Sequence, residues 1–431
     1  MALGFMGLIF AGSLMLSLPV MHMAGELSYL DALFTAASAV CVTGLVVVDT
    51  GTFYSPIGQA VIMILIFCGS LGFMTMTTLI FVFLGRKITL RDRLLVREAL
   101  NQESVAGLVR LVLVVVRIAM FFILIGTVLM SFRFVPLIGY RSGLFYALFH
   151  AVSAFGNAGF DLFGNYNSLT GFPTDYLVNS TIMILFIIGG LGFTVIIELL
   201  HYFRLKARLS LHSRLVLILT AALLFSGAFM VLILEFNNPA TMGGLSLGGR
   251  VFTAFFTAAT PRTAGFSVLN TGALSYPTVL ILLSFMFIGA SPTSTGGGVK
   301  TTTFGVVLIT FINMIRGRRE PVVFSRRFSL FQIMKAVSIM SAAIGLIFLA
   351  TFVMALFEEK EFIALLFEAF SAFGTVGLSR GITPELSNAS KIALIFTMYG
   401  GRVGPLTLLV ALARQQKEDV LHYPEENLLI G

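Results

Sequence analysis

The sequence predicts an all-α protein that crosses a membrane several times and is built from four related repeats. Apolar residues make up 57% of the 431 residues and charged residues only 11%, whereas a soluble domain carries roughly 25% charged residues because its surface faces water. A short motif returns four times along the chain, and long apolar stretches flank each copy. Together these observations exclude a large soluble domain.

The repeated motif ends in a glycine, with a phenylalanine ten residues before it and a pair of small residues six and five residues before it. Successive glycines lie 115, 106 and 112 residues apart. Because the spacing is nearly constant, the sequence predicts a four-fold internal repeat. The copies are FTAASAVCVTGL (34–45), FHAVSAFGNAGF (149–160), FFTAATPRTAGF (255–266) and FEAFSAFGTVGL (367–378), aligned on Gly44, Gly159, Gly265 and Gly377.

Each repeat is predicted to contain a long apolar helix, a short half-helix that leads to the glycine, and a second long helix. A helix needs about 20 residues to cross the hydrocarbon core, so the short segments fit re-entrant half-helices. The predicted first helices are 1–22, 107–132, 213–236 and 331–356, and the predicted second helices are 56–85, 174–203, 276–313 and 388–412. The repeats then occupy 1–85, 107–203, 213–313 and 331–412, followed by a cytoplasmic tail at 413–431.

The orientation follows from the distribution of lysine and arginine. Eighteen of the 28 basic residues lie in the three connections between repeats and in the tail. The positive-inside rule places these segments and both termini in the cytoplasm, so the four glycine segments descend from the outer face. The net charge of +8 is therefore typical of cytoplasmic loops and predicts no nucleic-acid partner.

A non-helical backbone segment lies within the membrane only where it is buried in protein or lines a water-filled cavity. Four such segments that end in glycine therefore predict a shared cavity, with four pseudo-symmetric helix–pore-loop–helix repeats around one central pore. Rings of backbone carbonyls can replace the hydration shell of a cation, and glycine permits the necessary backbone angles. The alternative is that the glycines serve loops or close helix contacts. The predicted ion-binding residues are Val42, Thr43, Gly44, Asn157, Ala158, Gly159, Thr263, Ala264, Gly265, Thr375, Val376 and Gly377.

A second unusual segment, GASPTSTGGGVKTTT at 289–303, interrupts the predicted helix 276–313. Its glycines, threonines and proline disfavour a continuous helix. A flexible linker is the alternative, and a phosphate loop is excluded because Val299, not glycine, precedes Lys300. Arg402 is an isolated charge inside the last helix, where arginine is costly and usually functional. The alternative interpretation is that the Arg402 side chain extends toward the inner membrane–water interface and has no special function.

These features resemble the superfamily of Trk, Ktr and HKT potassium transporters, and most closely a bacterial Ktr membrane subunit. The runs SAVCVTGLVVVDTGTF, TAATPRTAGF, FSAFGTVGL and GRVGPLT carry the resemblance. In that family, glycine at all four filter positions goes with potassium selectivity, so the resemblance implies potassium at the filter. It also implies an intramembrane gating loop at 289–303, formed by Gly289, Ser294, Thr295, Gly296, Gly297, Gly298 and Lys300 and contacted by Arg402.

The resemblance further implies potassium uptake by the ion-conducting subunit of a Ktr-like system in a bacterial cytoplasmic membrane. Expected partners are a second copy of the chain, the lipid bilayer and a cytoplasmic ring of nucleotide-binding RCK domains. No cofactor is expected besides the potassium ion, although sodium dependence is implied. No Ser/His or Asp/Asp constellation lies inside the helices, so the chain is predicted not to be an enzyme. The alternatives are a sodium-conducting or poorly selective relative and an alternating-access cation carrier.

Overall fold

The computed structural model describes residues 2–23, 25–72, 108–318 and 320–404. Within these ranges the chain is almost entirely helical, which confirms the predicted fold class. The strands Val322–Val323 (β1) and Arg326–Arg327 (β2) pair as a small antiparallel hairpin. Several predicted parts lie outside the described residues: the end of repeat 1 (73–85), the first connection, the end of repeat 4 (405–412) and the tail 413–431.

Every repeat contains a first helix, a pore helix and a second helix, in that order. The first helices are Ala2–Leu16, Leu108–Ile138, Leu211–Glu235 and Leu330–Phe357. Pore helices 1 to 4 are Tyr29–Cys41, Tyr140–Gly156, Leu247–Ala259 and Phe362–Gly374. The second helices are Pro56–Leu71, Tyr176–Leu191, Tyr276–Ile288 and Asn388–Val403, and two further helices, Phe193–Leu205 and Thr301–Ile315, follow those of repeats 2 and 3. Short turns are Thr50–Phe53, Pro19–Met21, Thr271–Ala273 and Thr383–Glu385.

Serines begin many of these helices. Ser55 accepts a hydrogen bond from the Gly58 amide, and Pro56 occupies the first helical position. Ser329 accepts from the Gln332 amide while the Gln332 side chain accepts from the Ser329 amide, which forms a complete capping box. Such caps satisfy amides that have no partner within the helix. A serine precedes the second helices of repeats 1, 3 and 4, at Ser55, Ser275 and Ser387, and Asp175 takes this position in repeat 2.

The predicted helix lengths need correction. The first helix of repeat 1 ends at Leu16 rather than at residue 22, because Pro19 begins a separate turn. The second helix of repeat 2 is not continuous over 174–203, since it bends by 98° at Gly192, whose φ is +93°. By length and composition, three described helices could cross a membrane, or four if the bent pair counts as one span.

The four repeats close into a ring. Each second helix packs against its own neighbours and also against the pore helix of the following repeat: repeat 1 on pore helix 2, repeat 2 on pore helix 3, repeat 3 on pore helix 4, and repeat 4 on pore helix 1. An ion pair between Lys391 and Asp31, 2.7 Å long, joins the last repeat to the first. The pore helices are largely buried, whereas large apolar side chains such as Phe132, Phe229 and Phe348 are exposed on the first helices. This burial places the first helices at the lipid-facing periphery.

Candidate functional site

Each pore helix leads through one residue in the left-handed conformation into a short extended segment that ends at the motif glycine. We call these segments strands 1 to 4, although they form no β-sheet; they are 42–44, 157–159, 263–265 and 375–377. The left-handed residues have φ between 49° and 71°, and they are Val42, Asn157, Thr263 and Thr375. The next amide in each strand donates to a carbonyl near the end of its pore helix at 2.8–2.9 Å, from Thr43 to Ser38, Ala158 to Ser153, Ala264 to Thr260 and Val376 to Ser371. The backbone therefore reverses in a similar way four times. In repeat 3 the pore helix ends earlier, at Ala259, and a turn over Thr260–Arg262 leads to Thr263, so the Ala264 amide bonds four residues back rather than five.

A hydroxyl group from the small pair of each motif supports the strand. Ser38 and Ser371 accept hydrogen bonds from the amides of Gly44 and Gly377, at 3.0 and 3.1 Å. In the other two repeats the hydroxyl donates instead: Ser153 to the Phe160 carbonyl at 2.7 Å and Thr260 to the Phe266 carbonyl at 2.6 Å. In the sequence these serines and the threonine were recognised only as small residues of the motif. Their size did not indicate that their hydroxyl groups bond to the strands.

The four strands meet at their glycines. Gly44, Gly159, Gly265 and Gly377 all have φ between 69° and 92°, a region that favours glycine. A Cβ atom on any of them would lie within 3.0 Å of the backbone of the next strand, where the closest carbonyls are those of Ala158, Ala264, Val376 and Thr43 in turn. The contacts run from strand 1 to 2, 2 to 3, 3 to 4 and 4 back to 1. All twelve sequence-predicted filter residues thus belong to one closed ring of strands.

One cavity of about 400 Å³ is lined by all four glycines. It lies at the ends of the strands that lead away from the pore helices, and Asp161, Arg380 and Glu385 also line it. We call it the vestibule. Burial raises the pKa of the Asp161 carboxyl to about 7; the Phe163 amide lowers it, and the charge of Asp49 raises it further. The carboxyl ends of the four pore helices converge behind the strands, so their dipoles favour a cation there.

The interrupted segment of repeat 3 contacts the opposite ends of the strands. The Gly297 amide donates to the Thr375 hydroxyl at 3.0 Å, and the Thr295 hydroxyl donates to the Asn157 side-chain carbonyl at 2.9 Å. Gly296 packs against the Thr263 side chain. The segment is non-helical from Gly289 to Lys300; the predicted loop 289–303 is too long, because Thr301 already begins the next helix. Three of the four strands therefore contact this loop directly.

The bend in repeat 2 holds the loop from the other side. The Ser291 amide donates to the Gly190 carbonyl at 3.0 Å, and the Phe193 amide donates to the Thr293 carbonyl at 3.0 Å. Lys300 extends back beneath the loop, where its ammonium donates to the Gly296 carbonyl at 2.6 Å. A broken helix persists in a membrane only when other groups bond to the backbone amides and carbonyls that the break leaves without helical partners. The hydrogen bonds between the bend, the loop and Lys300 do this here.

Arg402 joins the loop to repeat 1. Its guanidinium donates to the Thr295 carbonyl in the loop. It also donates to the carbonyls of Gly69 and Ser70, at 2.5 and 3.2 Å, where the second helix of repeat 1 ends. Both terminal nitrogens are thus engaged with carbonyls inside the molecule, which is the geometry that a planar fork of donors favours. Eight gating residues were predicted from the sequence. Five of them form this network of contacts: Thr295, Gly296, Gly297, Lys300 and Arg402. Gly289 and Gly298 shape the loop with positive φ, and the Ser294 hydroxyl donates only within the loop, to the Ser291 carbonyl.

Sequence reasoning missed a set of glycines in the second helices. A Cβ on Gly69, Gly189 or Gly401 would overlap the carbonyl of Val40, Phe155 or Phe373, near the end of the pore helix in the same repeat. These glycines let the two helices touch through their backbones. The signal is present in the sequence, because a glycine followed three residues later by a second glycine comes after three of the four filter glycines, as GSLG (69–72), GGLG (189–192) and GRVG (401–404).

The fold and the site together define a membrane transport protein, and the comparisons with known proteins agree. Residues 9–422 match the family described as TrkH, cation transport protein. The chain therefore belongs to the TrkH family of cation transport proteins, a class that is not enzymatic in the usual sense.

Similar proteins include a Ktr system potassium uptake protein B of Bacillus subtilis, 44% identical over all of this chain and 96% of that protein. A potassium/sodium uptake protein of Enterococcus hirae, NtpJ, is 38% identical over all of this chain and 96% of its own length. Among solved structures, the potassium transporter TrkH of Vibrio parahaemolyticus superposes with a TM-score of 0.75 at 17% identity, covering 96% of this chain and 83% of that one. The last likeness concerns the fold alone.

Proposed function

We propose that the chain is the ion-conducting subunit of a potassium uptake system. The observation that carries the proposal is the closed ring of four glycine strands, with a vestibule at one end and the carboxyl ends of four pore helices behind it. Carbonyls of these strands replace the hydration shell of the ion as it passes. The printed names of the relatives support potassium as the ion. The chain has no catalytic role in this proposal, and potassium is the ion that its filter binds.

The loop at 289–300 is the gate in this proposal. It lies against the inner ends of strands 2, 3 and 4, and Arg402 fastens it to the end of a helix in repeat 1. An ion leaving the strands in this arrangement meets the loop. The loop is held by charge-assisted hydrogen bonds, each worth about 1.5–3 kcal/mol, and a segment held by a few such bonds can switch between two arrangements.

We also propose partners for the chain. The phrase "Ktr system" in the name of a relative supports a regulatory component, and we assign it to a cytoplasmic ring of RCK domains that binds nucleotide. A homodimer of the chain and a dependence on sodium complete the proposed system. Copurification of the two proteins, followed by mass measurement of the complex, tests the ring and the dimer; a monomer that binds no ring contradicts both.

The location proposed is a bacterial cytoplasmic membrane, with both termini and the basic connections on the cytoplasmic side. The test places a cysteine at Asp92 in the first connection of a Cys68→Ser background, since Cys41 is buried and Cys68 is partly accessible. Membrane-impermeant maleimide should label Asp92→Cys only after the cells are opened. Labelling of intact cells contradicts the orientation.

The deciding experiment is a flux assay in proteoliposomes with gradients of potassium, rubidium or sodium. We expect potassium and rubidium to enter and sodium to be excluded. A sodium-conducting or poorly selective transporter is the second candidate, favoured by the potassium/sodium name of the Enterococcus hirae relative, and it predicts similar rates for the three ions. An alternating-access carrier predicts saturable flux and no single-channel currents.

A further inference from the structure

A large cavity at one end of the molecule is lined by basic side chains. It encloses about 970 Å³ between the connection before helix Leu211–Glu235 and the hairpin β1–β2 before helix Leu330–Phe357. We call it the basic cavity. None of its residues lines the vestibule or belongs to the predicted filter. Its five cationic side chains are all exposed: Arg208, Arg214, Arg326, Arg327 and Lys335.

Most of these charges have no acidic partner among the described residues. Arg327 pairs with Glu320 at 2.7 Å, but the other four cations form no ion pair with any carboxylate that the structure describes. Glu198 lies near His212 and is engaged by the Ser210 amide at 3.0 Å. Cations gathered around one cavity repel each other and create a positive potential that an anion relieves. The cavity is therefore suited to an anionic ligand.

The position of the basic cavity points to the membrane interface. Leu211 and Gln332, both in its lining, belong to the first turns of two helices long enough to cross a membrane. The first turn of a spanning helix lies near the headgroups. Deeper along the same helices the lining includes Leu215, Ala336 and Ile339, and helix Thr301–Ile315 contributes Val306 together with Thr302 and Thr303. The cavity thus presents cations at headgroup depth and a mostly apolar wall, without charges, below them.

We propose that the basic cavity binds an anionic phospholipid. The phosphate lies among Arg208, Arg214, Arg326 and Lys335, and an acyl chain follows the apolar wall. Arginine suits this task because its planar fork of donors matches phosphate oxygens in pairs. A soluble phosphate compound shares the headgroup chemistry, but it leaves the apolar wall without a partner. The ligand of this site is therefore a lipid of the leaflet that the basic connections face.

The test is native mass spectrometry of the full-length protein, purified in detergent and stripped of lipid. Phosphatidylglycerol and phosphatidylcholine with the same acyl chains are added separately. We expect phosphatidylglycerol adducts to dominate, and Arg214→Gln/Arg326→Gln to weaken them about 25-fold, or about fivefold for each charge. The control is Arg316→Gln/Arg318→Gln, which removes two exposed arginines nearby without touching the cavity and should bind as the wild type does.

Three outcomes overturn the proposal: equal adducts of both lipids, equal losses in the two double variants, or binding of inorganic pyrophosphate without any phosphatidylglycerol adduct. The last outcome assigns the cavity to a soluble phosphate compound. Gel filtration of each variant checks its folding. If the double variant does not fold, the single exposed change Lys335→Gln provides the same test, with an expected loss of about fivefold.

Discussion

Gly44 is glycine for two physical reasons that act together. Its φ of +92° disfavours any side chain, and the carbonyl of Ala158 occupies the place where a Cβ would stand. The sequence indicated the first reason, because a glycine that ends a repeated motif is typical of a special backbone conformation. It could not indicate the second, since the neighbouring strand lies 115 residues away.

Replacement of Gly44 by serine should reduce the discrimination of potassium over sodium. A non-glycine residue in a sparsely populated backbone region costs on the order of 1–3 kcal/mol. The strand must shift to relieve this strain and the overlap with Ala158, and its carbonyls then no longer stand where potassium needs them. We therefore expect the permeability ratio to fall in bi-ionic flux measurements. Gly345→Ser is the matched control, because a side chain there meets no atom within 4 Å. An unchanged ratio in a well-folded Gly44→Ser protein contradicts a filter role for this residue.

The sequence identified Arg402 as an intramembrane charge, but it could not show which groups Arg402 contacts. Its contacts reach the Thr295 carbonyl and the Gly69 carbonyl, which come from different repeats. Change of Arg402 to alanine should raise potassium flux in the absence of a regulatory ring, by about 10- to 150-fold if one bond of about 1.5–3 kcal/mol is lost. Arg402→Lys should give an intermediate flux, since one ammonium lacks the fork that serves both carbonyls.

Flux through these variants is measured per molecule of folded protein, because removal of a buried arginine can also unfold a chain. Gel filtration and an unchanged ratio of potassium to rubidium flux provide that control. Equal flux in wild type, Arg402→Lys and Arg402→Ala would show that this side chain does not hold the gate.

The elements were predictable where composition changes sharply along the chain. Proline, glycine and threonine at 289–303 indicated the break in the third repeat, and the structure shows it from Gly289 to Lys300. The bend at Gly192 escaped prediction because the stretch from Phe186 to Ile197 is apolar apart from three glycines and Thr194. A glycine costs a helix only about 1 kcal/mol, and the helix does continue through Gly189 and Gly190. The bend at Gly192 therefore depends on tertiary bonds with the loop.

Shortening the loop at 289–300 tests whether it obstructs the passage of ions. Deletion of residues within Ser294–Gly298 removes the contacts with Asn157 and Thr375 and the carbonyls that Lys300 binds. We expect faster potassium flux without the regulatory ring, at unchanged selectivity, because the filter strands themselves remain intact. Flux no faster than wild type across a range of gradients, in a deletion that elutes as a folded protein, excludes the loop as the gate.

At the scale of the whole molecule, the four-fold arrangement was readable because the motif recurs at nearly constant spacing. The order of the ring was not, since only contacts such as Lys391 with Asp31 show which repeats are neighbours. The second helices were overestimated for a related reason. Hydropathy counts apolar residues continuously, whereas the second helices of repeats 1, 2 and 4 end at glycines with φ above +80°, namely Gly72, Gly192 and Gly404. The first helix of repeat 2 was underestimated instead, because it continues to Ile138.

The vestibule, which all four repeats build, predicts a pH dependence. Burial raises the pKa of Asp161, in the loop after strand 2, to about 7. A raised pKa in a carboxyl group means that the negative charge is present above pH 7 and is lost as the pH falls through 7. Potassium uptake at low external concentration should therefore decrease from pH 8 to pH 6.

Asp161→Asn keeps an acceptor for the Phe163 amide but cannot ionise, so its uptake should be low and independent of pH in this range. Glu385→Gln, which removes another carboxylate from the same vestibule, should preserve the slope. A slope that survives in Asp161→Asn would assign the titration to a different group.

The loop beneath the strands has a consequence for how such a molecule can be assembled. It comes from one repeat only, yet it contacts strands 2, 3 and 4 and is fastened to repeat 1. Four identical subunits would each bring a copy of it to the same central axis, where there is room for one. Fusion of the four quarters into a single polypeptide lets one quarter diverge while the other three keep their shape. The covalent link between repeats is thus what permits a single loop of this kind beneath a ring of four similar strands.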